Sequence, residues 1–156
     1  MGGPQFGHSE GMKKQFMAYR SPRQQPMGRR YGRWTLGAGL LFTGVSHLTW
    51  NRKAFLAQVP GWVPFDGDFV VVSSGVVEIV LGSALVAWAT RRVHVGWVVA
   101  AFFVVIFPGN ISQLTSRTDS FGLNSDASRA VRLLFQPLLV AWALWSTDAW
   151  SSRTAL

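Results

Sequence analysis

The sequence predicts an all-α polytopic membrane protein, a bundle of four transmembrane helices with a cytoplasmic N-terminus and a cytoplasmic C-terminus. Only 14% of its 156 residues are charged, whereas soluble domains average about 25%. Long uncharged intervals separate the charges, and the basic residues concentrate before residue 34 although 49% of the chain is hydrophobic. This composition excludes a disordered chain. The absence of cysteine excludes disulfides, thiolate metal sites and thiol redox motifs.

Each of the four predicted spans is an apolar interval that approaches or exceeds the length needed to cross about 30 Å of hydrocarbon. The intervals lack the charged face that a soluble amphipathic helix shows every 3.6 residues, and they are too long for strands. A soluble bundle of buried helices is the competing interpretation. The predicted helices cover residues 34–50, 69–90, 94–114 and 130–147.

The distribution of basic residues predicts the orientation. Residues 1–30 read as a disordered basic tail, 31–150 as the transmembrane domain and 151–156 as a short C-terminal tail. With the N-terminus inside, ten of the 15 basic residues flank the cytoplasmic side, as the positive-inside rule requires. We expect a multi-pass protein of the plasma membrane, whose tail contacts anionic lipid rather than nucleic acid.

The two outer connections differ in character. Residues 51–68 combine a short helix-forming stretch, KAFLAQ, with two prolines that bar regular structure after it. This connection is interpreted either as a partly embedded flap over the helix ends or as an ordinary loop with aromatic anchors. The second connection, residues 117–128, is polar.

Polar side chains inside the spans mark the candidate site, because polar groups in hydrocarbon usually face the bundle interior. All four helices contribute one or two, between the outer interface and mid-membrane. These residues are His47, Glu78, Asn110, Gln113, Arg132 and Gln136. Two interpretations stay open: an ion pair between Glu78 and Arg132 locks the bundle, or the cluster is a pocket for the polar head of a lipophilic molecule.

Helical spacing places the cluster on packing faces. Gly39, Thr43 and His47 recur every four residues in the first span, and Ser74, Glu78 and Gly82 do so in the second. Such small-residue faces allow helices to approach closely in lipid. Prolines inside the third and fourth spans release backbone carbonyls beside the cluster. Two candidate ligands, His47 and Glu78, are too few for a metal site.

The ordered series of polar motifs resembles the DoxX-like family of small four-helix membrane proteins. The resemblance covers about residues 34–147. It rests on GVSH (44–47), Pro60–Pro64, SGVVEIVLG (74–82), FPGNISQ (107–113) and RLLFQPLLVAWAL (132–144). The resemblance implies a four-helix membrane fold and a redox-associated, quinone-linked accessory subunit. It identifies no catalytic residue.

The resemblance also predicts a cofactor and partner proteins. It implies quinone as a non-covalent cofactor and membrane or peripheral redox proteins as partners, and a homo-oligomer is compatible with it. If the chain is part of an enzyme, that enzyme is a membrane oxidoreductase complex. The alternative is a non-catalytic membrane scaffold, or a protein that binds a lipophilic small molecule, in which the polar cluster is structural.

Overall fold

The computed structural model describes residues 25–115 and 125–152, with the side chains of 126–129 and 152 left out. The predicted tail over residues 1–24, most of the predicted second outer loop, and residues 153–156 lie outside the described residues. All regular elements in the described ranges are helical, which confirms the all-α class. They are α1 (Met27–Leu48), α2 (Arg52–Leu56), α3 (Gly67–Ala87), α4 (Arg92–Thr115), α5 (Asp126–Ser146) and α6 (Ala149–Ser152), with a 3-10 turn at Ala89–Arg91 between α3 and α4.

Two segments in the described part of the chain, Gly67–Ala87 and Ala89–Thr115, are long and apolar enough to cross a membrane. The apolar part of α5, Ala130–Ser146, is shorter. Helix α1 has 22 residues, but its first two turns carry three arginines. Length and composition therefore establish two candidate spans and not the four that the uncharged intervals predict.

All four long helices begin earlier than predicted, and for two of them the reason is identifiable. Helix α3 begins at Gly67 because the Asp66 side chain accepts hydrogen bonds from the backbone N–H groups of Asp68 and Phe69, at 3.0 and 3.2 Å. This is a side-chain N-cap. Helix α1 begins at Met27, inside the segment predicted to be a disordered tail. Its first turns are fixed by tertiary contacts that local sequence does not reveal.

The four long helices form two closely packed pairs, α1 with α3 and α4 with α5. In the first pair, glycines seven residues apart face each other across the antiparallel contact. A Cβ atom added to Gly44 would lie 2.7 Å from the Gly75 carbonyl oxygen, and one added to Gly82 would lie 2.7 Å from the Gly37 carbonyl oxygen. The backbones therefore touch at two levels.

These glycine contacts correct the predicted packing face of α1. Gly39 and Thr43 are exposed, and a Cβ atom added to Gly39 would meet nothing within 4 Å. The packing face instead contains Gly37 and Gly44, whereas His47 does lie against α3 as predicted, beside Gly75. In α3, Gly82 lies on the packing face as predicted, and its partner there is Gly75.

The bundle has two chemically different ends. We call the end with the Ala89–Arg91 turn the turn end, and the end with the connection over residues 49–66 the loop end. The apolar core occupies the half nearer the turn end. It consists of Leu36, Leu40, Leu81, Leu85, Val95, Val99, Ala100, Phe103 and Ala143. This core of described residues does not extend into the half nearer the loop end, and the predicted polar cluster lies there.

Candidate functional site

A cavity of about 270 Å³ lies in the half of the bundle nearer the loop end. Ligand pockets typically have volumes of about 300–1,000 Å³, so this cavity suits a small head group. Helices α1, α3, α4 and α5 all line it, together with the 49–66 connection. Five of the six predicted cluster residues line it: His47, Glu78, Asn110, Arg132 and Gln136.

The sixth predicted residue, Gln113, is placed differently. Its side chain is buried, but it does not line the cavity. Gln113 lies almost one helical turn beyond Asn110 along α4. It therefore belongs to the packing of the loop end.

His47 and Glu78 meet at the cavity wall. The Nδ1 atom of His47 lies 3.3 Å from Oε2 of Glu78 and 2.9 Å from the carbonyl oxygen of Thr43. Because a carbonyl oxygen only accepts, Nδ1 must be protonated and must donate to the Thr43 carbonyl oxygen, which is the nearer of the two. The single Nδ1–H is thus directed to Thr43, and the contact with Glu78 is close but not a hydrogen bond.

Of the two open interpretations, the ion pair between Glu78 and Arg132 is wrong, because the structure places Glu78 against His47. The Nη2 atom of Arg132 donates to Oε1 of Gln58 at 2.8 Å. Gln58 lies in the connection after α2. The arginine therefore ties α5 to this connection, a partner that spacing within the helices does not reveal.

The 49–66 connection forms part of the cavity wall, which supports the interpretation as a flap. Its short helix lies where KAFLAQ predicts one, and the Phe55 ring stacks on the His47 ring with centroids 3.3 Å apart. Trp62 also lines the cavity. A salt bridge between Arg52 and Asp68 joins α2 to the first turn of α3.

Two cavity-lining residues hold oxygen atoms that accept no hydrogen bond from any described residue. These atoms are Oε2 of Glu78 and Oε1 of Gln136. Both residues are more than nine-tenths buried, at 6% and 7% exposure. A buried acceptor left without a donor costs about 1–3 kcal/mol. The cavity is therefore suited to a group that donates hydrogen bonds.

Metal chemistry finds no support in the side-chain arrangement. Within residues 25–115 and 125–152, no three His, Cys, Asp or Glu side chains cluster as a metal site requires. His47 and Glu78 alone supply two ligands, and their shortest contact is the 3.3 Å approach described above.

A second charged cluster, at the turn end, was not foreseen from the sequence. Asp148 accepts from Nη1 of Arg29 at 2.5 Å and from Nε of Arg92 at 2.8 Å. Burial raises the pKa of the Asp148 carboxyl, but hydrogen bonds and charge from the two arginines outweigh burial and hold that pKa below its usual range. Arg33 is buried beside them and donates to the carbonyl oxygen of Leu85 near the end of α3.

These contacts explain the early start of α1. Arg29 and Arg33 join its first two turns to the ends of α5 and α3. Gln25 adds a hydrogen bond from Nε2 to the carbonyl oxygen of Ser146, at 2.6 Å. Asp148 has φ 63°, the left-handed conformation that ends many helices, and it turns its carboxylate to both arginines just after α5.

A family model described as "Domain of unknown function (DUF8561)" matches residues 36–147, which is most of the chain. The chain belongs to this family. The matched range contains all six predicted cluster residues and both glycine contacts, whereas Arg29, Arg33 and Asp148 lie just outside it. No curated protein and no solved structure matches the chain. The resemblance to the DoxX-like family stays a prediction.

Proposed function

We propose that this chain is an integral membrane protein whose four long helices all cross the bilayer, with the loop end at the outer face. Only a third of the most apolar window in each candidate span is buried, whereas the core helix of a soluble protein is mostly buried. Helices α1 and α5 also expose large apolar side chains, such as Phe42 at 64% and Leu138 at 61%. A lipid environment covers this surface.

The cavity binds the polar head of a lipophilic, quinone-like molecule. The observation that carries this proposal is the pair of buried acceptors, Oε2 of Glu78 and Oε1 of Gln136, that no described residue satisfies. Hydroxyl groups of a bound head would donate to them. Its ring would lie near Phe55, which also lines the cavity.

This acceptor-rich wall favours the reduced head. A hydroquinone carries two hydroxyl donors, whereas the oxidised quinone carries only carbonyl acceptors. Glu78 is in addition able to take up a proton from a bound hydroxyl. Arg132 is the complementary group, because a guanidinium only donates.

The proposal includes a second part, that this chain is a subunit of a redox complex. Neither His47 nor Glu78 exchanges electrons, so oxidation or reduction of the head requires a second protein that carries a redox centre. The chain would then be the quinone-binding accessory subunit of that complex, as the DoxX-like resemblance implies.

Lipid extraction tests the binding directly. Protein purified in mild detergent is extracted with organic solvent, and the extract is compared with total membrane lipid by mass spectrometry. We expect enrichment of a quinone or hydroquinone. Glu78→Gln should lower the amount bound about tenfold or more, since a hydrogen bond to a charged group is worth about 1.5–3 kcal/mol. Gln136→Leu should lower it by a smaller factor, since a hydrogen bond between neutral groups is worth about 0.5–1.5 kcal/mol.

Gln113→Leu is the matched control for this experiment. It removes the same amide from a buried position near the same end of the bundle, but outside the cavity, and should leave the bound amount unchanged. No enrichment in the wild type, together with wild-type behaviour of Glu78→Gln, would overturn the proposal.

A structural role is the second candidate, favoured by the position of the His47–Glu78 contact beside the closest approach of α1 and α3. A Cβ atom added to Gly75 would lie 2.8 Å from Cβ of His47. The scaffold alternative predicts that His47→Ala and Glu78→Gln are coupled in a double-mutant cycle of unfolding free energies. Additive losses would count against it.

A further inference from the structure

A second cavity of about 350 Å³ continues from the first along the seam between α1 and α5. The two cavities share the residues His47, Phe55, Glu78, Ile106, Arg132 and Gln136. Beyond them, α1 contributes Thr35, Gly39 and Thr43 at intervals of four residues. At a rise of 1.5 Å per residue, the wall from His47 to Thr35 is about 18 Å long.

The groove exists because the two helix pairs meet loosely here. Helix α1 packs mainly on α3, and α5 packs mainly on α4. Gly39 and Thr43 are exposed, so the groove opens sideways between α1 and α5. It is limited at the turn end, where Nε1 of Trp142 donates to the Gly32 carbonyl oxygen at 3.0 Å.

The walls beyond the shared residues are mainly apolar. Phe135, Leu139 and Trp142 face the α1 wall from α5. The hydroxyl of Thr43 donates to carbonyl oxygens of its own helix, at 3.1 and 3.2 Å, and that of Thr35 does the same at 3.0 Å. Because both hydroxyl groups are already hydrogen-bonded, the threonine methyl groups can line the groove without leaving an unsatisfied polar group.

We propose that this lateral groove binds the apolar chain of the same molecule whose head occupies the polar cavity. The inference rests on the proposed function and narrows the class of ligand. The ligand must be a single-chain amphiphile whose head donates hydrogen bonds. The unsatisfied acceptors, Oε2 of Glu78 and Oε1 of Gln136, lie at one end of the groove, so the head binds at that end. The side opening lets the chain enter from the bilayer without passing through water.

Gly39 offers a way to block the groove without disturbing the fold. A Cβ atom added there meets nothing within 4 Å, so the side chain of Gly39→Leu would project into the groove. Gly28 lies on the same helix, is exposed and is equally open, but it does not line the groove. Gly28→Leu is therefore the matched control.

The test uses two hydroquinones with the same head, one with a methyl group and one with a decyl chain. Their dissociation constants are measured in lipid nanodiscs and expressed as mole fraction in the bilayer, so that simple partitioning cancels. In Gly39→Leu we expect at least a tenfold weaker affinity for the decyl probe and less than a twofold change for the methyl probe. Gly28→Leu should match the wild type for both.

The outcomes separate this inference from the proposed function. If the wild type binds both probes and Gly39→Leu does not selectively weaken the decyl probe, the chain lies elsewhere and the inference is overturned while the proposed function stands. If the wild type binds neither probe, the proposed function fails and the inference fails with it. An unchanged melting temperature of Gly39→Leu excludes misfolding as the cause of any loss.

Discussion

At the residue scale, the chemistry of the cavity depends on how one histidine proton is used. The Nδ1–H of His47 is directed to the Thr43 carbonyl oxygen, so Oε2 of Glu78 is left close to the ring but without a hydrogen bond. A carboxylate held in this way is a strong acceptor. The local geometry of α1 thus creates the acceptor that a donor ligand would use.

Asp148 should make stability depend on pH. Its folded-state pKa is lowered, so its contribution is fully present above the ordinary aspartate pKa. The contribution is lost as the pH falls below about 4 and through the lowered pKa. Asp148→Asn should remove about 1–2 kcal/mol at neutral pH, between the values for exposed and buried pairs.

Thermal melting in detergent checks this prediction. Other carboxyls also titrate, so the informative quantity is the difference in melting temperature between wild type and Asp148→Asn. That difference should shrink as the pH falls from about 5 to about 2. Asparagine tolerates the left-handed conformation at this position. A difference that is independent of pH would show that the pair does not stabilise the fold.

The polar cluster illustrates what single residues reveal in a sequence. Glu78, His47 and Asn110 stand out because polar groups are rare in apolar helices, and the structure brings them to one cavity. The contact of Arg132 with Gln58 could not be predicted, because depth along a helix does not give the rotation of that helix. Gln58 lies in an irregular connection, whose path follows from tertiary packing alone.

At the scale of elements, the backbones of α1 and α3 approach closely where their glycines face each other. Gly44→Ala should destabilise the protein by about 1–3 kcal/mol, the usual cost of overpacking, because its Cβ atom would lie 2.7 Å from a backbone oxygen. Gly39→Ala, on the open side of the same helix, is the control. Equal melting temperatures for the two variants would contradict the packing described here.

The connection between α2 and α3 should depend on its hydrogen bond to α5. Gln58→Ala removes the side-chain oxygen that accepts from Nη2 of Arg132, so residues 52–66 should exchange amide hydrogens faster while the centres of α3 and α4 keep their protection. Hydrogen–deuterium exchange measured by mass spectrometry checks this. Unchanged exchange in the connection would mean that other contacts hold it over the cavity.

The elements themselves were largely predictable, whereas the faces they present were not. Apolar stretches located all four long helices, and KAFLAQ located α2. The packing glycines, Gly37 with Gly44 and Gly75 with Gly82, are spaced by seven residues, and this spacing could have identified the face. The four-residue spacing of Gly39 and Thr43 instead marks the wall of the lateral groove.

At the scale of the whole molecule, the bundle divides into a half with an apolar core and a half with a polar cavity. The core fills the half nearer the turn end, and the cavity occupies the half nearer the loop end. With the core at the turn end and the cavity at the loop end, a ligand can bind without unfolding of the bundle. The charged cluster around Asp148 joins α1, α4 and the end of α5 at the turn end.

The number of membrane crossings decides whether the half with the core and the half with the cavity lie in opposite leaflets of the bilayer. Two spans satisfy length and composition, and the proposal of four depends on the exposed apolar surface of α1 and α5. Because the chain contains no cysteine, single cysteines introduced at exposed positions give an unambiguous test. Suitable sites flank every long helix: Gly28, Gly61, Thr90, Ser125 and Ser151.

Labelling of these single-cysteine variants with a membrane-impermeant maleimide, in intact and in permeabilised cells, is the most direct measurement. The four-span bundle predicts that Gly61→Cys and Ser125→Cys react in intact cells. Gly28→Cys, Thr90→Cys and Ser151→Cys should react only after permeabilisation. If Gly28→Cys or Ser151→Cys reacts from the same side as Gly61→Cys, then α1 or α5 does not cross the membrane, and the four-span bundle with an outer-leaflet cavity is contradicted.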